Sequence, residues 1–193
     1  MEREKGGERF RMNSDEEVLI TSGFRIESFD SIYYTYAGGF LITAREHEKT
    51  LEGAINLDLI NNSALSILLS ALGLEAHINA FGIRHLGPEY FSTIDRLSTA
   101  NKFCLVADLV SNTKNWLPNH LVSDLKLLFR LRDKLVHFKP LDANLTKKGA
   151  VRRTFFIAEK ELGIRCFERT VLKLHELAPS DDVSWIKHLG DIQ

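Results

Sequence analysis

Three residues in the last third of the chain combine a fixed positive charge with a group that moves protons near neutral pH. Arg132 and Asp133 are adjacent, and His137 follows four residues after Asp133 in the segment LRDKLVHFKP. The guanidinium of Arg132 stays charged, and its planar fork matches two oxygens of a phosphate. Histidine, with an ordinary pKa of about 6.5, suits general acid and base catalysis. On a helix, residues four apart can touch, so Asp133 can orient His137.

A helix predicted over Asn119–Phe138 must position these groups, with Asn119 as its N-cap. Apolar residues recur at helical spacing on the side that carries Arg132, namely Leu121, Leu125, Leu128, Phe129, Leu135 and Val136. Burying the guanidinium unpaired would cost roughly several kcal/mol, so we expect Arg132 to face a carboxylate or a cleft. Pro140 ends the helix and places His137 in its last turn, where the helix dipole favours a cationic imidazole.

The segment Asn62–Leu86 is apolar nearly all round, which is typical of a helix buried by neighbours on several sides. Glu75 and Asn79 interrupt it on one stripe, which they share with Leu68, Leu72 and Ile83. A buried carboxylate needs a cationic partner, so we expect Glu75 or Asn79 to pack beside Arg132. The alternative is that Glu75 pairs with another base in a purely structural contact.

The rest of the chain fits one helical domain. Residues 1–16 are rich in charge and glycine and are predicted to be a disordered tail, residues 17–178 form the domain, and residues 179–193 form a second tail. Val18–Ile26 is compatible with an extended or a helical start. Helical patterns begin at Ser31 (with Asp30 or Ser31 as the cap), at Asp95 or Ser98, and at Ala150. They predict an all-α, up-and-down bundle of four to five helices.

The first predicted helix has Ile32, Tyr33, Tyr36 and Phe40 on one side. The adjacent glycines Gly38 and Gly39 cost a helix about 1 kcal/mol each relative to alanine. They therefore predict either a break or a close helix crossing.

Composition narrows the function classes. The chain has 193 residues, 44% hydrophobic and 26% charged, with a net charge of −1, so no global basic field indicates nucleic-acid binding. The two cysteines form no disulfide framework and indicate a cytoplasmic protein. The longest apolar candidate, Tyr33–Ala44, is too short to span a membrane. No metal-ligand spacing or glycine-rich phosphate loop is present, so no metal or other cofactor is expected.

The sequence also resembles a known family. Arg132, Asp133 and His137 resemble the signature of the HEPN superfamily (higher eukaryote and prokaryote nucleotide-binding domains), in which an arginine and a polar residue precede a histidine. The segment LEAHIN, with Glu75 and Asn79, resembles a Glu-Ala-x-x-Asn piece common in the first core hairpin of that family. Many members are metal-independent endoribonucleases that work as homodimers, with the two motifs facing each other.

The resemblance implies attack of an RNA 2′-hydroxyl on its adjacent phosphodiester, in single-stranded RNA. His137 would be the general acid and base, Arg132 would hold the phosphate, and Asp133 would orient His137 or shape the turn. Three cations would attract the RNA backbone, namely Arg130, Lys134 and Lys139. The resemblance also implies that the motif helices of two copies share a composite site, which fits the divergence of about 140° between Arg132 and His137 on an ideal helix.

A toxin or defence role, with a possible antitoxin partner, is implied by the resemblance alone. Some HEPN toxins carry a tyrosine two places after the motif histidine, which a partner enzyme modifies with AMP; here that place is Lys139. Two alternatives remain open. The chain is either a non-catalytic module for dimerisation or partner binding, or a nucleotide-binding module that uses the same residues without cleavage.

Overall fold

The computed structural model describes residues 29–50, 57–113, 116–136 and 156–187. Regular structure within these ranges is entirely helical, which confirms the all-α prediction. The helices are α1 (Phe29–Thr50), α2 (Leu57–Leu86), α3 (Pro88–Ile94), α4 (Thr99–Ser111), α5 (Asn119–Val136), α6 (Lys160–His175) and α7 (Ser184–Lys187). The predicted tail 1–16 and the ambiguous segment Val18–Ile26 lie outside the described residues.

Helix α2 is the central element, because it contacts α1, α3, α4, α5 and α6. Helices α1 and α6 run antiparallel: Tyr34 of α1 hydrogen-bonds Glu168 of α6, and three turns later Arg45 pairs with Glu161 at 2.6 Å. Helices α5 and α6 also pack together, since Asp124 lies 3.8 Å from Arg169. The long helices thus enclose one apolar core.

Close helix crossings depend on two glycines that the sequence pattern did not single out. A Cβ at Gly73 of α2 would lie 2.7 Å from the Phe167 ring of α6 and 2.7 Å from Tyr33 of α1. A Cβ at Gly163 of α6 would lie 2.8 Å from the Ser70 hydroxyl of α2. Since real Cβ atoms do not approach so closely, α2 and α6 reach this separation only because both positions are glycine.

Helix α1 differs from the sequence prediction in two ways. It runs unbroken through Gly38 and Gly39, and a Cβ at either position would meet nothing within 4 Å, so the pair marks neither a break nor a close crossing. Its buried hydrophobic side consists of Tyr34, Ala37, Leu41 and Ala44, whereas Tyr36 is 62% exposed. The small alanines allow α1 to pack on α2. Of the residues that define the sequence pattern, only Tyr36 is exposed, and the others are half-buried, namely Ile32, Tyr33 and Phe40.

The turn after α2 and the last described helix, α7, complete the fold. Gly87 separates α2 from α3 with a φ of 83°, a backbone conformation that favours glycine. Near the chain end, Trp185 of α7 packs against Tyr34 and Phe167, with ring centroids 5.6 and 5.9 Å apart. The predicted C-terminal tail therefore contributes an aromatic ring to the core cluster.

The apolar length of α2 corrects the expectation that Tyr33–Ala44 is the longest apolar stretch. By length and composition α2 is sufficient to cross a membrane, with an 18-residue window of mean hydropathy 1.4. Isolated polar residues interrupt the apolar runs within α2, but the mean hydropathy of its 18-residue window stays high. This is weak evidence for a membrane segment, because core helices of soluble proteins meet the same criterion and α2 packs against five neighbours.

Candidate functional site

The core-facing side of α5 is rotated relative to the prediction. Leu121, Leu125, Leu128 and Phe129 are buried as expected, and Leu131 is fully buried as well. Val136, predicted on the same face, is 58% exposed. Helix α5 packs against α4 and α6 as well as α2, which shifts the buried side toward Leu131 and away from Val136. As a result, Arg132 lies at the edge of the buried face and not at its centre.

Arg132 and Glu75 form the contact that the sequence pattern predicted. The Arg132 Nη1 donates a hydrogen bond of 3.1 Å to Glu75 Oε2. Their side chains are 24% and 30% exposed, so the pair is partly buried. The other Glu75 oxygen accepts a hydrogen bond of 2.9 Å from the hydroxyl of Thr99, which is 5% exposed. Glu75 is therefore held from both sides and fixes one edge of the guanidinium.

Asn79 has a different partner. Its side-chain oxygen accepts a hydrogen bond of 2.9 Å from Lys102, which is 3% exposed and also lies 2.9 Å from Asp95. The Lys102 ammonium lies 5.3 Å from the centroid of the Phe91 ring. These contacts satisfy a buried charge that would otherwise be costly. The prediction placed Glu75 or Asn79 beside Arg132, and only Glu75 makes that contact.

Thr99 and Lys102 were missed by sequence reasoning. They lie three residues apart on α4, on the face that also buries Phe103 and Val106. A lysine within such an apolar stripe was a usable signal, because a buried ammonium requires acceptors. Helix α4 therefore supports the two polar residues of α2.

Asp133 lies beside the other edge of the Arg132 guanidinium. Its Oδ1 is 3.0 Å from Arg132 Nε, yet this Nε, which is buried, makes no hydrogen bond, so the contact is electrostatic. The Asp133 side chain is 57% exposed. The Phe129 ring lies against the guanidinium, with 5.3 Å between its centroid and the guanidinium carbon. One edge of Arg132 is thus bound firmly and the other is only faced by a carboxylate.

The remaining predicted site residues divide into two groups. Arg130 and Lys134 are exposed on α5, where Lys126 is exposed in the same row. His137 and Lys139 lie outside the described residues, so the motif is described only through Arg132 and Asp133. Among the residues that the structure describes, no group of three or more His, Cys, Asp or Glu side chains could hold a metal ion.

A second polar cluster lies where α1, α2 and α7 meet. His77 is buried, with its Nδ1 2.6 Å from Asp30 Oδ2. Trp185 lies edge-on to its ring at 6.2 Å between centroids. Nearby, burial and the hydrogen bond to Glu168 raise the pKa of Tyr34 far above its ordinary value. We interpret these contacts as structural ties between helices.

The two cysteines are not activated. Burial raises the pKa of Cys166 to about 12, with a further contribution from Asp124. Burial also raises the pKa of Cys104, against an opposing effect of Lys126. Because the thiolate is the reactive form, neither residue is a candidate nucleophile.

Comparisons with protein-family models, with curated proteins and with solved structures gave no match for this chain. The likeness to the HEPN superfamily therefore rests on sequence motifs alone, namely the Arg132–His137 motif and the LEAHIN segment.

Proposed function

We propose that this chain is a metal-independent endoribonuclease with a HEPN-like, up-and-down helical bundle, which cleaves single-stranded RNA. One observation carries the proposal: Arg132 is held at the edge of the buried face by Glu75 and Thr99, and it retains an edge without hydrogen bonds to described residues. An arginine so placed, five residues before a histidine, has the donor geometry that a phosphodiester requires.

The proposed reaction is transesterification within the RNA. His137 accepts the proton of the 2′-hydroxyl, the 2′-oxygen bonds to phosphorus, and the bond from phosphorus to the 5′-oxygen breaks. The leaving 5′-oxygen takes a proton from a histidine, so the products are a 2′,3′-cyclic phosphate and a 5′-hydroxyl. Arg132 stabilises the negative charge that develops on the phosphate oxygens. No further reactant is needed.

The wider site is also part of the proposal. Two copies pair through α5, so that each contributes an Arg132 and a His137 to a composite site. Arg130, Lys134 and Lys139 attract the RNA backbone through salt-sensitive contacts. A cytoplasmic toxin or defence effector, with an antitoxin as partner, is the role that the HEPN resemblance suggests.

The decisive experiment is cleavage of a mixed single-stranded RNA by the purified full chain in EDTA. We expect products that end in 2′,3′-cyclic phosphate, and we expect the His137→Ala variant to make none while keeping its melting temperature. His120→Ala is the matched control, because His120 is an exposed histidine on the same helix. Absence of cleavage by a folded dimer, or equal cleavage by His137→Ala, would contradict the proposal.

A second candidate function is a non-catalytic interaction module, and one observation favours it. The Thr99–Glu75–Arg132 contacts join α4, α2 and α5, which gives Arg132 a structural use without any substrate. The nucleotide-binding alternative would employ the same cations without cleavage. His137→Ala separates these alternatives: an enzyme loses turnover, a nucleotide site loses affinity, and a structural role loses only stability.

A further inference from the structure

The guanidinium of Arg132 has two edges with different environments. Nη1 donates to Glu75, whereas Nε and Nη2 donate to no described residue. The N–H groups of Nε and Nη2 are parallel in any arginine and match two oxygens of one phosphate or carboxylate group. This second edge is therefore the part of Arg132 that can receive an oxyanion.

The two carboxylates beside Arg132 differ in how firmly they are held. Glu75 hydrogen-bonds both Arg132 and the buried hydroxyl of Thr99. Asp133 lies 3.0 Å from Nε without a hydrogen bond, and its side chain is 57% exposed. A solvated, poorly aligned carboxylate of this kind is weakly bound and can turn away, whereas Glu75 cannot do so without breaking its bond to Thr99.

We propose that the Nε and Nη2 edge of Arg132 is a binding site for a phosphate group, and that Asp133 blocks this site in the free protein. Binding requires the Asp133 carboxylate to move off the guanidinium, while Glu75 holds the guanidinium in place. The choice of a phosphodiester as ligand rests on the proposed ribonuclease function. The blocking role of Asp133 rests on the contacts of Arg132 itself.

Charge explains why the block is effective. One guanidinium between two carboxylates carries a net negative charge, which repels a phosphate. Once the Asp133 carboxylate moves away, the pair of Arg132 and Glu75 is neutral and the bidentate edge is open. Removing the charge of Asp133 should therefore strengthen phosphate binding, although Asp133 belongs to the motif itself.

The test compares binding of a labelled single-stranded RNA by the full chain in EDTA at fixed salt. We expect Asp133→Asn to bind about fivefold more tightly than the wild type, which is the upper end of the effect of one charge at an exposed site. Asp58→Asn, which removes an exposed carboxylate at the start of α2, is the matched control and should leave affinity unchanged. Arg132→Lys keeps the charge but loses the bidentate edge, so affinity should fall about tenfold.

A second measurement does not need RNA. In the Asp133→Asn variant, titration with inorganic phosphate should shift the Nε–H resonance of Arg132, assigned by its absence in Arg132→Lys. In the RNA-binding assay, the increase in affinity caused by Asp133→Asn should disappear when Arg132→Lys is also present. The proposal would be overturned if Asp58→Asn raised RNA affinity as much as Asp133→Asn does, or if Asp133→Asn still raised it in the Arg132→Lys background.

The two proposals fail in different ways. Wild-type cleavage of RNA without any tightening in Asp133→Asn would overturn the blocking role and leave the ribonuclease intact. A phosphate-induced shift at Arg132 without RNA cleavage by any variant would support the blocked site and contradict the ribonuclease. No shift and no tightening would overturn the blocked site whatever the enzyme does.

Discussion

The pair of Arg132 and Glu75 gives a quantitative prediction about stability. Glu75→Gln removes the carboxylate charge but keeps an oxygen that can accept the Thr99 hydrogen bond. The contact is 3.1 Å long and its side chains are 24% and 30% exposed, so it lies between a surface pair and a buried pair. Surface pairs contribute about 0.2–1 kcal/mol, and breaking a buried pair costs about 3–5 kcal/mol. We therefore expect Glu75→Gln to lower the free energy of unfolding by about 1–2 kcal/mol.

The assay is a double-mutant cycle with Glu75→Gln, Arg132→Gln and both changes, measured by urea denaturation. The coupling energy should be about 1 kcal/mol or more. The control cycle uses Arg45 and Glu161, which pair at 2.6 Å but have side chains 42% and 39% exposed. There the coupling should stay below about 1 kcal/mol, because solvent screens the charges.

A coupling energy below about 0.3 kcal/mol at Arg132 and Glu75 would refute the reasoning, since that is the scatter expected for independent sites. A value no larger than that of the control pair would also contradict it, because partial burial would then add nothing. In the first case Glu75 would not hold the guanidinium, and the fixed edge of the proposed phosphate site would be lost.

Two further predictions concern packing and pH. Gly39→Ala should raise stability by about 0.5–1 kcal/mol, because its Cβ meets nothing within 4 Å, whereas Gly163→Ala should lower it by about 1–3 kcal/mol through contact with Ser70. Thermal melts of both variants check this, and an equal change of melting temperature in the two variants would contradict the close crossing of α2 and α6 at Gly163. The pKa of Cys166 rises from its ordinary 9.0 to about 12, so the unfolded thiol ionises first and stability should fall between those pH values. Cys166→Ala should remove the part of this loss of stability that comes from Cys166. If stability depended on pH in the same way in the variant and the wild type, this prediction would be wrong.

The polar contact between α2 and α5 was predictable because each partner alone would be unfavourable. Glu75 and Arg132 interrupt two apolar stripes, and a charge on such a stripe requires a partner of opposite sign. The sequence left open whether Glu75 or Asn79 lies beside Arg132, and whether Glu75 pairs with another base; the structure shows the contact between Glu75 and Arg132. Helical periodicity predicted α5, and the long segment that is apolar nearly all round predicted α2, although α2 begins five residues earlier than Asn62, at Leu57.

The rotation of helix faces was not predictable from one sequence. Periodicity shows that α1 has apolar residues on more than one side, but it does not show which side meets α2. The structure buries Tyr34 and exposes Tyr36, because the alanines beside Tyr34 allow close packing. Lys102 was missed for a similar reason. Its acceptors are Asn79 on α2 and Asp95 directly after α3, and only the tertiary arrangement brings them together.

The central position of α2 has a consequence for how the length of this chain can vary. Gly73 faces α1 and α6, while Glu75, two residues later, faces α4 and α5. An insertion of one residue earlier in α2 would rotate everything beyond it by about 100° relative to the first turns. The same insertion would displace the glycine from its crossing or the carboxylate from its arginine. Related chains can therefore differ in the composition of α2, but insertions and deletions should fall outside it.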